Sequence, residues 1–302
     1  MTTGERTAIV GTGRVAQALG RLLAQAGLPP VAVAGRTASH AESAASFIGP
    51  GVKTARIRDI PGLADRILIA VVDAAIPSVV DDLSDGGMRG GIALHTSGAH
   101  GPGLLDALAV RGASCGVLHP LQTIADPELG VAALHGACFG IGGAPLAIQW
   151  AEEIVAAAQG TPLRIRNTGF ASYHAGAVMA GNAVVAAIDA AVVLLGAAGV
   201  DRHAALQAIR PLCLTSAQNA LEIGPESALT GPVQRGDAET IRVHTAALAN
   251  VPAYVADFYR ASGHALLEIA KRRGLSETSA KAVELALEAR TQNLEPRTAN
   301  RT

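Results

Sequence analysis

The segment Ile9-Val10-Gly11-Thr12-Gly13-Arg14-Val15-Ala16 constrains this chain more than any other. A β-branched run, a glycine turn and an amphipathic stretch over 14–26 follow one another without a gap. This is the G-x-G-x-x-A form of a dinucleotide-binding turn. Gly11 permits the sharp turn, Gly13 lets the backbone approach a pyrophosphate, and Ala16 lets the helix lie close on the strand. The free N–H groups of the first helical turn then face the phosphates. Thr12, Arg14 and Val15 complete the turn and are expected to line the cofactor with the two glycines.

The rest of the first half repeats the alternation. Runs at 31–33, 67–72, 92–94 and 116–118 are apolar throughout, and amphipathic stretches at 38–47, 75–83 and 102–111 separate them. Strands of that kind belong to a parallel sheet covered on both faces. Further strands are expected at 138–141 and 162–165 around a helix at 145–159. The spacing predicts an α/β fold: an N-terminal doubly wound parallel (Rossmann) sheet over residues 1–166, then an all-α C-terminal domain over 167–302. Helical runs fall at 170–198, 202–222, 237–249, 253–273 and 276–290. Asp201 and Ser276 read as N-caps, Gly274 as a stop and Pro252 as a first-turn residue, with a kink or division at Pro211. Residues 291–302 read as a polar tail.

Composition narrows the function. At 302 residues the chain suits about two domains. Its hydrophobic share of 49% against 16% charged excludes a disordered chain. A net charge of −1 supplies no basic field, so neither nucleic acid nor a membrane is an expected partner. The stretch 175–200 mimics a membrane span, but Asn182 and Asp189 interrupt it. An acidic residue near mid-span costs about 2.5–3.5 kcal/mol, so a buried helix of a soluble protein is expected. Cys115, Cys138 and Cys213 are too few and too scattered for a disulfide framework, and no secretory signal is read, which together suit the cytoplasm. His95, His100, Cys115 and His119 match no zinc spacing, so no metal is expected.

The second strand ends in Ala34-Gly35-Arg36-Thr37, where an NAD site usually carries an acidic residue for the ribose 2′-hydroxyl. A guanidinium at Arg36, with Thr37 beside it, suits a 2′-phosphate instead. The cofactor expected is NADP rather than NAD. Val72 and Asp73 close one apolar run and Ser97 follows another, so they fall where the nicotinamide would lie. Asp73 could equally cap the helix that begins near Ile76. Ser97 could line cofactor or substrate.

Together with that fingerprint and Gly-Arg-Thr, several segments carry a family resemblance: His119-Pro120-Leu121, the run from His174 to Asn182, and Leu229-Thr230-Gly231-Pro232 leading to Arg235-Gly236-Asp237 and His244. The chain resembles Rossmann-like proteins with an uncharacterised helical C-terminal domain, relatives of ketopantoate reductase, pyrroline-5-carboxylate reductase and 6-phosphogluconate dehydrogenase. The resemblance implies an NAD(P)-dependent oxidoreductase architecture and a homodimer formed through the helical domain. It also marks a departure. The β-hydroxyacid dehydrogenases and ketopantoate reductases carry a lysine four residues before an asparagine. If Asn182 is that asparagine, the position holds Val178, and the only lysines are Lys53, Lys271 and Lys281.

Another group must therefore supply the proton, or the protein does not perform that chemistry. Histidine titrates in the right range, and His119 and His174 are the candidates. Pro120 holds His119 extended at a strand end, and His-Pro loops in prephenate dehydrogenases place a similar histidine at the site. His174 and Asn182 lie about 12 Å apart along one helix, so both reach one ligand only if it extends along that face. Thr230, Arg235 and Asp237 form a shaped loop. Arg235 is the carboxylate-binding candidate there, and Asp237 could cap the next helix. These residues point to an NADP-dependent reductase acting on a small 2-oxo acid or imine held between the domains. A non-catalytic NADP(H) sensor is the alternative, and a structural dimer with a vestigial nucleotide site is a third reading.

Overall fold

The apolar runs become strands of one sheet in a computed structural model that describes residues 5–289. The strands are β1 (Thr7–Val10), β2 (Ala32–Ala34), β3 (Lys53–Ala55), β4 (Arg66–Ile69), β5 (Ile92–His95), β6 (Ser114–Pro120), β7 (Cys138–Gly143) and β8 (Thr161–Arg164). Their order is β3-β2-β1-β4-β5-β6-β7-β8. β3 gives no apolar run in the sequence, because Lys53 and Thr54 are exposed at the sheet's edge. All pairs are parallel except β6 with β7, where His119 faces Gly140 and Pro120 faces Phe139. The doubly wound parallel sheet expected from the sequence is present, with this one antiparallel pair added: after β6 the chain re-enters the sheet at the end it left.

Helices cover both faces of that sheet. They are α1 (Arg14–Gln25), α2 (Ala38–Ile48), α3 (Ile76–Asp85), α4 (Asp106–Ala109), α5 (Pro127–Leu134), α6 (Pro145–Ala157) and α7 (Phe170–Ala180). The period-two alternation of a strand divides the core between the faces. Ile9, Leu68, Leu94 and Leu118 join Leu19, Leu22 and Ile154 on one side. Val10, Ile67 and Ile69 join Ile76, Val80 and Leu83 on the other.

The described residues fall into two compact units that divide after Gly181, so the helix that follows residue 166 goes with the first unit. The reason lies in α7. Its Phe170 and Tyr173 rings rest on β7, where a Cβ at Gly142 would stand 2.9 Å from Phe170 and one at Gly140 would stand 2.6 Å from Tyr173. The glycines of Cys138-Phe-Gly-Ile-Gly-Gly thus make the floor on which α7 sits.

The second unit contains α8 (Asn182–Ala197), α9 (Arg202–Ile223), α10 (Pro225–Ala228), α11 (Pro232–Arg235), α12 (Ala238–Ala247), α13 (Ala253–Arg272) and α14 (Glu277–Glu288). Among the described residues it has no strand. Asp201 and Ser276 accept first-turn N–H groups as N-caps, Pro252 stands at the N-cap of α13, and Gly274 takes a φ of 97° beyond its end. Pro211 does not divide its helix, since α9 runs unbroken through it. The one N–H it lacks would have bonded the carbonyl of exposed Gln207, which water can reach. The small core gathers Val233, Ile241, Leu267, Val283 and Leu287.

The stretch Phe170–Ala197 departs from its expected burial. Its most apolar 18-residue window has a mean hydropathy of 2.1 yet is only 11% buried, and by length and composition the stretch could cross a membrane. Val184, Val185, Leu212, Leu214 and Leu221 of α8 and α9 are all exposed. Alanine-rich sequence sets hydropathy without specifying a covering layer, and this chain alone supplies little. The predicted tail 291–302 lies outside the described residues.

Candidate cofactor and catalytic site

The glycine turn connects β1 to α1 with the geometry its residues demand. Gly11 has a φ of 134°, a conformation that side chains resist, and a Cβ there would collide with the carbonyl oxygen of Ala70. Gly13 is the N-cap of α1, no side chain caps the helix, and a Cβ on Gly13 would meet nothing. The first-turn N–H groups therefore open onto a cavity of about 700 Å³ lined by Gly11, Thr12, Gly13, Arg14, Val15, Arg36, Val72 and Thr96 among others. The donors and the space fit a pyrophosphate. Gln17 donates to the Thr12 carbonyl at 2.8 Å and braces the turn.

Arg36 stands at the cavity's end, exposed and without an ion pair among the described residues. A second cavity of about 710 Å³ continues past it, bounded by Arg36, Thr54, Arg56, Arg58, Asp59 and Asp82. Arg56 pairs with Asp59 at 2.7 Å and Arg58 with Asp82 at 2.9 Å. The sequence reading passed over Arg56 and Arg58 because the short β3 that carries them there had no apolar signature. Thr37 is exposed at the start of α2, makes no capping bond and does not border either cavity.

Asp73 and Ser97 meet each other rather than the cavity. The Ser97 hydroxyl, 4% exposed, donates to Asp73 Oδ2 at 2.8 Å and lies 3.0 Å from His100 Nδ1. Asp73 Oδ2 is also 3.3 Å from that nitrogen. Asp73 makes no capping bond to α3, so its side chain serves this network and not the helix. Behind it His95 is wholly buried. The backbone N–H of Ser97 donates to His95 Nδ1 at 3.2 Å, so His95 Nε2–H is the donor to the Gly101 carbonyl at 3.0 Å. Burial lowers the His95 pKa and keeps it neutral, which makes it a brace for the 96–101 loop. No cluster able to hold a metal occurs among the described residues.

His119 and His174 do come together, and Tyr173 joins them. His119 Nδ1 lies 2.9 Å from the Tyr173 hydroxyl. The His119 and His174 rings stand edge to face at 5.5 Å. Burial, with His174 beside it, pushes His119 down to about 4, while Asp73 opposes the shift. Burial pushes Tyr173 up to about 12, so both partners are neutral near pH 7. Sequence reasoning missed Tyr173, although its glycine floor at Gly140 and Gly142 was a readable signal.

The remaining candidates lie in the second unit. Asn182 begins α8, exposed and without a hydrogen bond among the described residues. Asp237 accepts from Thr240 N at 3.1 Å and from its hydroxyl at 2.7 Å, so it caps α12. Thr230 and Arg235 are exposed, with Arg235 4.0 Å from Asp237. His244 Nδ1, on α12, lies 2.8 Å from the Tyr259 hydroxyl.

Comparison with known proteins supports this organisation. Residues 4–120 match a Rossmann-like domain, and residues 137–266 match a domain of unknown function, DUF2520. A crystal structure from Bacteroides fragilis, described as an NADP oxidoreductase, has a TM-score of 0.71 at 20% identity, covering 87% of this chain and 98% of that one. An imine reductase of Streptomyces aurantiacus scores 0.66 at 16% identity, covering 92% and 98%. A reductive aminase of Aspergillus terreus, in complex with NADPH and ethyl levulinate, scores 0.60 at 18% identity, covering 95% and 93%. At these identities the likeness is one of fold. No curated protein matches in sequence.

Proposed function

We propose that this chain, a Rossmann-like domain followed by a DUF2520 domain, is an NADP-dependent oxidoreductase that reduces the C=N or C=O group of a small imine or 2-oxo acid. One observation carries the reading. The uncapped glycine turn after β1 and the cluster of His119, in the last residues of β6, with Tyr173 and His174 of α7 stand at the carboxyl end of one parallel run of strands, β1-β4-β5-β6. That is where this fold binds a dinucleotide and its substrate.

Gly11, Gly13 and the first turn of α1 would hold the pyrophosphate, and Arg36 the 2′-phosphate. NADPH, when bound, would supply a hydride to the substrate carbon. The chain's own part is to hold the heteroatom and protonate it. At a His119 kept neutral, that proton comes from a neutral imidazole N–H rather than from an imidazolium. The Asp73 carboxylate beside the cluster suits a positively polarised imine better than an acid, and the imine and amine chemistry in the structural neighbours' names agrees. A 2-oxo acid would depend on Arg235.

The test is calorimetric titration with NADPH and NADH, followed by a screen of imines and 2-oxo acids for cofactor oxidation. Trp150 is a poor reporter for the titration. It is 3% exposed and lies 5.8 Å below Arg66, at the amino end of β4 and away from the cofactor cavity. Tight NADPH and weak NADH binding supports the reading, and binding of neither removes it. The sensor reading keeps one observation in its favour, Val178 in place of the relatives' lysine. Substituting His119 and His174 separates the two, because loss of turnover with retained NADPH binding identifies an enzyme. We further place the protein in the cytoplasm as a homodimer, with small molecules rather than nucleic acid or membrane as its ligands.

A further inference from the structure

We propose that Tyr173, His119 and His174 form one donor–acceptor relay at Gly98, in which Tyr173 fixes His119 as its Nε2–H tautomer and His174 Nδ1 accepts the hydrogen of the reduced heteroatom. The inference rests on the oxidoreductase reading for its substrate, but its geometry stands by itself.

The Tyr173 hydroxyl has one proton to give and two acceptors in reach. His119 Nδ1 is at 2.9 Å and the His119 carbonyl at 3.5 Å. The shorter contact is an ordinary hydrogen bond and the longer one is at the limit, so the proton goes to Nδ1. A neutral imidazole that accepts at Nδ1 carries its hydrogen on Nε2. The edge-to-face ring geometry, 88° at 5.5 Å, holds the imidazole in that direction. Asp73, His174 and, nearer Tyr173, Cys138 are the titratable neighbours.

Gly98 marks where the Nε2 edge of His119 and Nδ1 of His174 meet. A Cβ built there would stand 2.6 Å from His119 Nε2 and 2.5 Å from His174 Nδ1, so both nitrogens converge on the side of Gly98 that has no side chain. His174 Nδ1 is buried and has no hydrogen-bond partner. A buried ring nitrogen left alone is costly, so one at this place is best explained by a ligand it awaits. One donor and one acceptor together match a group that accepts one hydrogen and gives another. The hydroxyl of a secondary alcohol and the N–H of an amine do so. A carboxylate, which only accepts, does not.

The same pair accounts for the proton. The imine nitrogen or carbonyl oxygen accepts from His119 Nε2–H. When the neighbouring carbon gains a hydride from the reduced nicotinamide, the heteroatom's new electron pair takes the Nε2 proton. Nδ1 takes the Tyr173 hydroxyl proton. The new X–H bond then points its hydrogen to His174 Nδ1. After the product leaves, one proton from solvent or buffer acid enters at Nε2 while Nδ1 returns its proton to the phenolate, which restores the starting tautomer. Tyr173 is a positioning residue throughout, and His119 and His174 touch the substrate.

Two-dimensional ¹H–¹⁵N NMR of the full-length protein, labelled at histidine, reads the tautomers directly at pH 7. His119 is expected as a single Nε2–H tautomer in the wild type and as a mixture in Tyr173→Phe. A protonated Nδ1 in the wild type, which needs no variant to observe, overturns the proposal. So does a tautomer unchanged in Tyr173→Phe. In NADP⁺-saturated protein, 2-propanol should shift both His119 and His174, and acetate should shift neither. Equal shifts with acetate overturn the donor–acceptor pairing. NADPH calorimetry on the same samples keeps the failures apart. Absence of binding sinks the oxidoreductase reading, whereas the tautomer result tests the relay alone.

Discussion

Gly11 and Gly13 bear different burdens although the motif treats them alike. Gly11 is fixed by backbone geometry, with φ 134° and the Ala70 carbonyl in the way of any Cβ. Gly11→Ala should lower stability by about 2 kcal/mol or more, read by urea denaturation, and cofactor binding should fail with it. Gly13 has an ordinary φ of −77° and open space before it. Gly13→Val should keep the melting temperature and abolish NADPH binding, because the added side chain enters the cleft rather than the core. Arg36→Ser should weaken NADPH about 10–100-fold by calorimetry and leave NADH nearly unchanged, since only the 2′-phosphate loses a charge-assisted partner. At His119 the folded pKa, about 4, lies below the unfolded value near 6.5. The unfolded chain therefore binds more protons between those values, and stability falls as pH drops from 6.5 to 4 while staying flat above. The loss from this residue is on the order of 2–3 kcal/mol at most. His95 adds to it in the same direction. Urea melts at pH 7 and 4.5 should therefore show a smaller difference in His119→Gln than in the wild type, and not none.

The elements that were legible in the sequence are those whose pattern and environment agree. β1, β4 and β5 are buried on both faces, so apart from Thr7, Arg66 and His95 at their ends their residues are apolar, and those runs announced them. α1, α12 and α14 carry their own caps or glycine turns. β3 was hidden because an exposed edge strand such as Lys53–Ala55 needs no apolar signature. The antiparallel return of β7 was hidden too, since strand direction leaves no mark on composition. The site divided along the same line. Glycines and the charge at Arg36 speak for themselves, whereas Tyr173 gains its role from the strand beneath it, 54 residues from His119 in sequence. That floor is open to test. A Cβ on Gly140 would meet the Tyr173 ring at 2.6 Å, so Gly140→Ala must push the first turns of α7 away from β7. Overpacking of this kind costs about 1–3 kcal/mol. The melting temperature should fall, and the His119 tautomer should become mixed as in Tyr173→Phe, while NADPH affinity holds. Loss of NADPH affinity instead would tie α7 to the cofactor cavity.

At the scale of the whole molecule, the two units settle their hydrophobic surface differently. In the first unit the strands β1, β2, β4, β5 and β6 bury their apolar residues on both faces within the chain, and Leu163 of the edge strand β8 is exposed. In the second unit Leu212 and Leu214 are 67% and 63% exposed, and Val185 is 68% exposed. Apolar side chains scattered singly are ordinary on a surface, but two helices carrying them in number call for a cover. Asp189 argues against lipid as that cover. It accepts from the Tyr254 hydroxyl at 3.0 Å and lies 3.8 Å from Arg202, and a carboxylate so engaged is poorly placed in hydrocarbon. A second copy of the chain would supply the cover without that difficulty, and closed two-fold pairs are the commonest assembly of oligomeric chains. Sedimentation equilibrium of the purified protein should then give about twice the 30.5 kDa of the chain. Leu212→Glu together with Leu214→Glu should move the population toward monomer and leave NADPH affinity unchanged if the nucleotide site belongs to the first unit alone. A wild-type protein that sediments as a monomer, or that partitions into liposomes in flotation, would show that the cover is not a second copy. Turnover falling in the monomeric variant while NADPH still binds would mean that the partner helps to build the substrate side of the site.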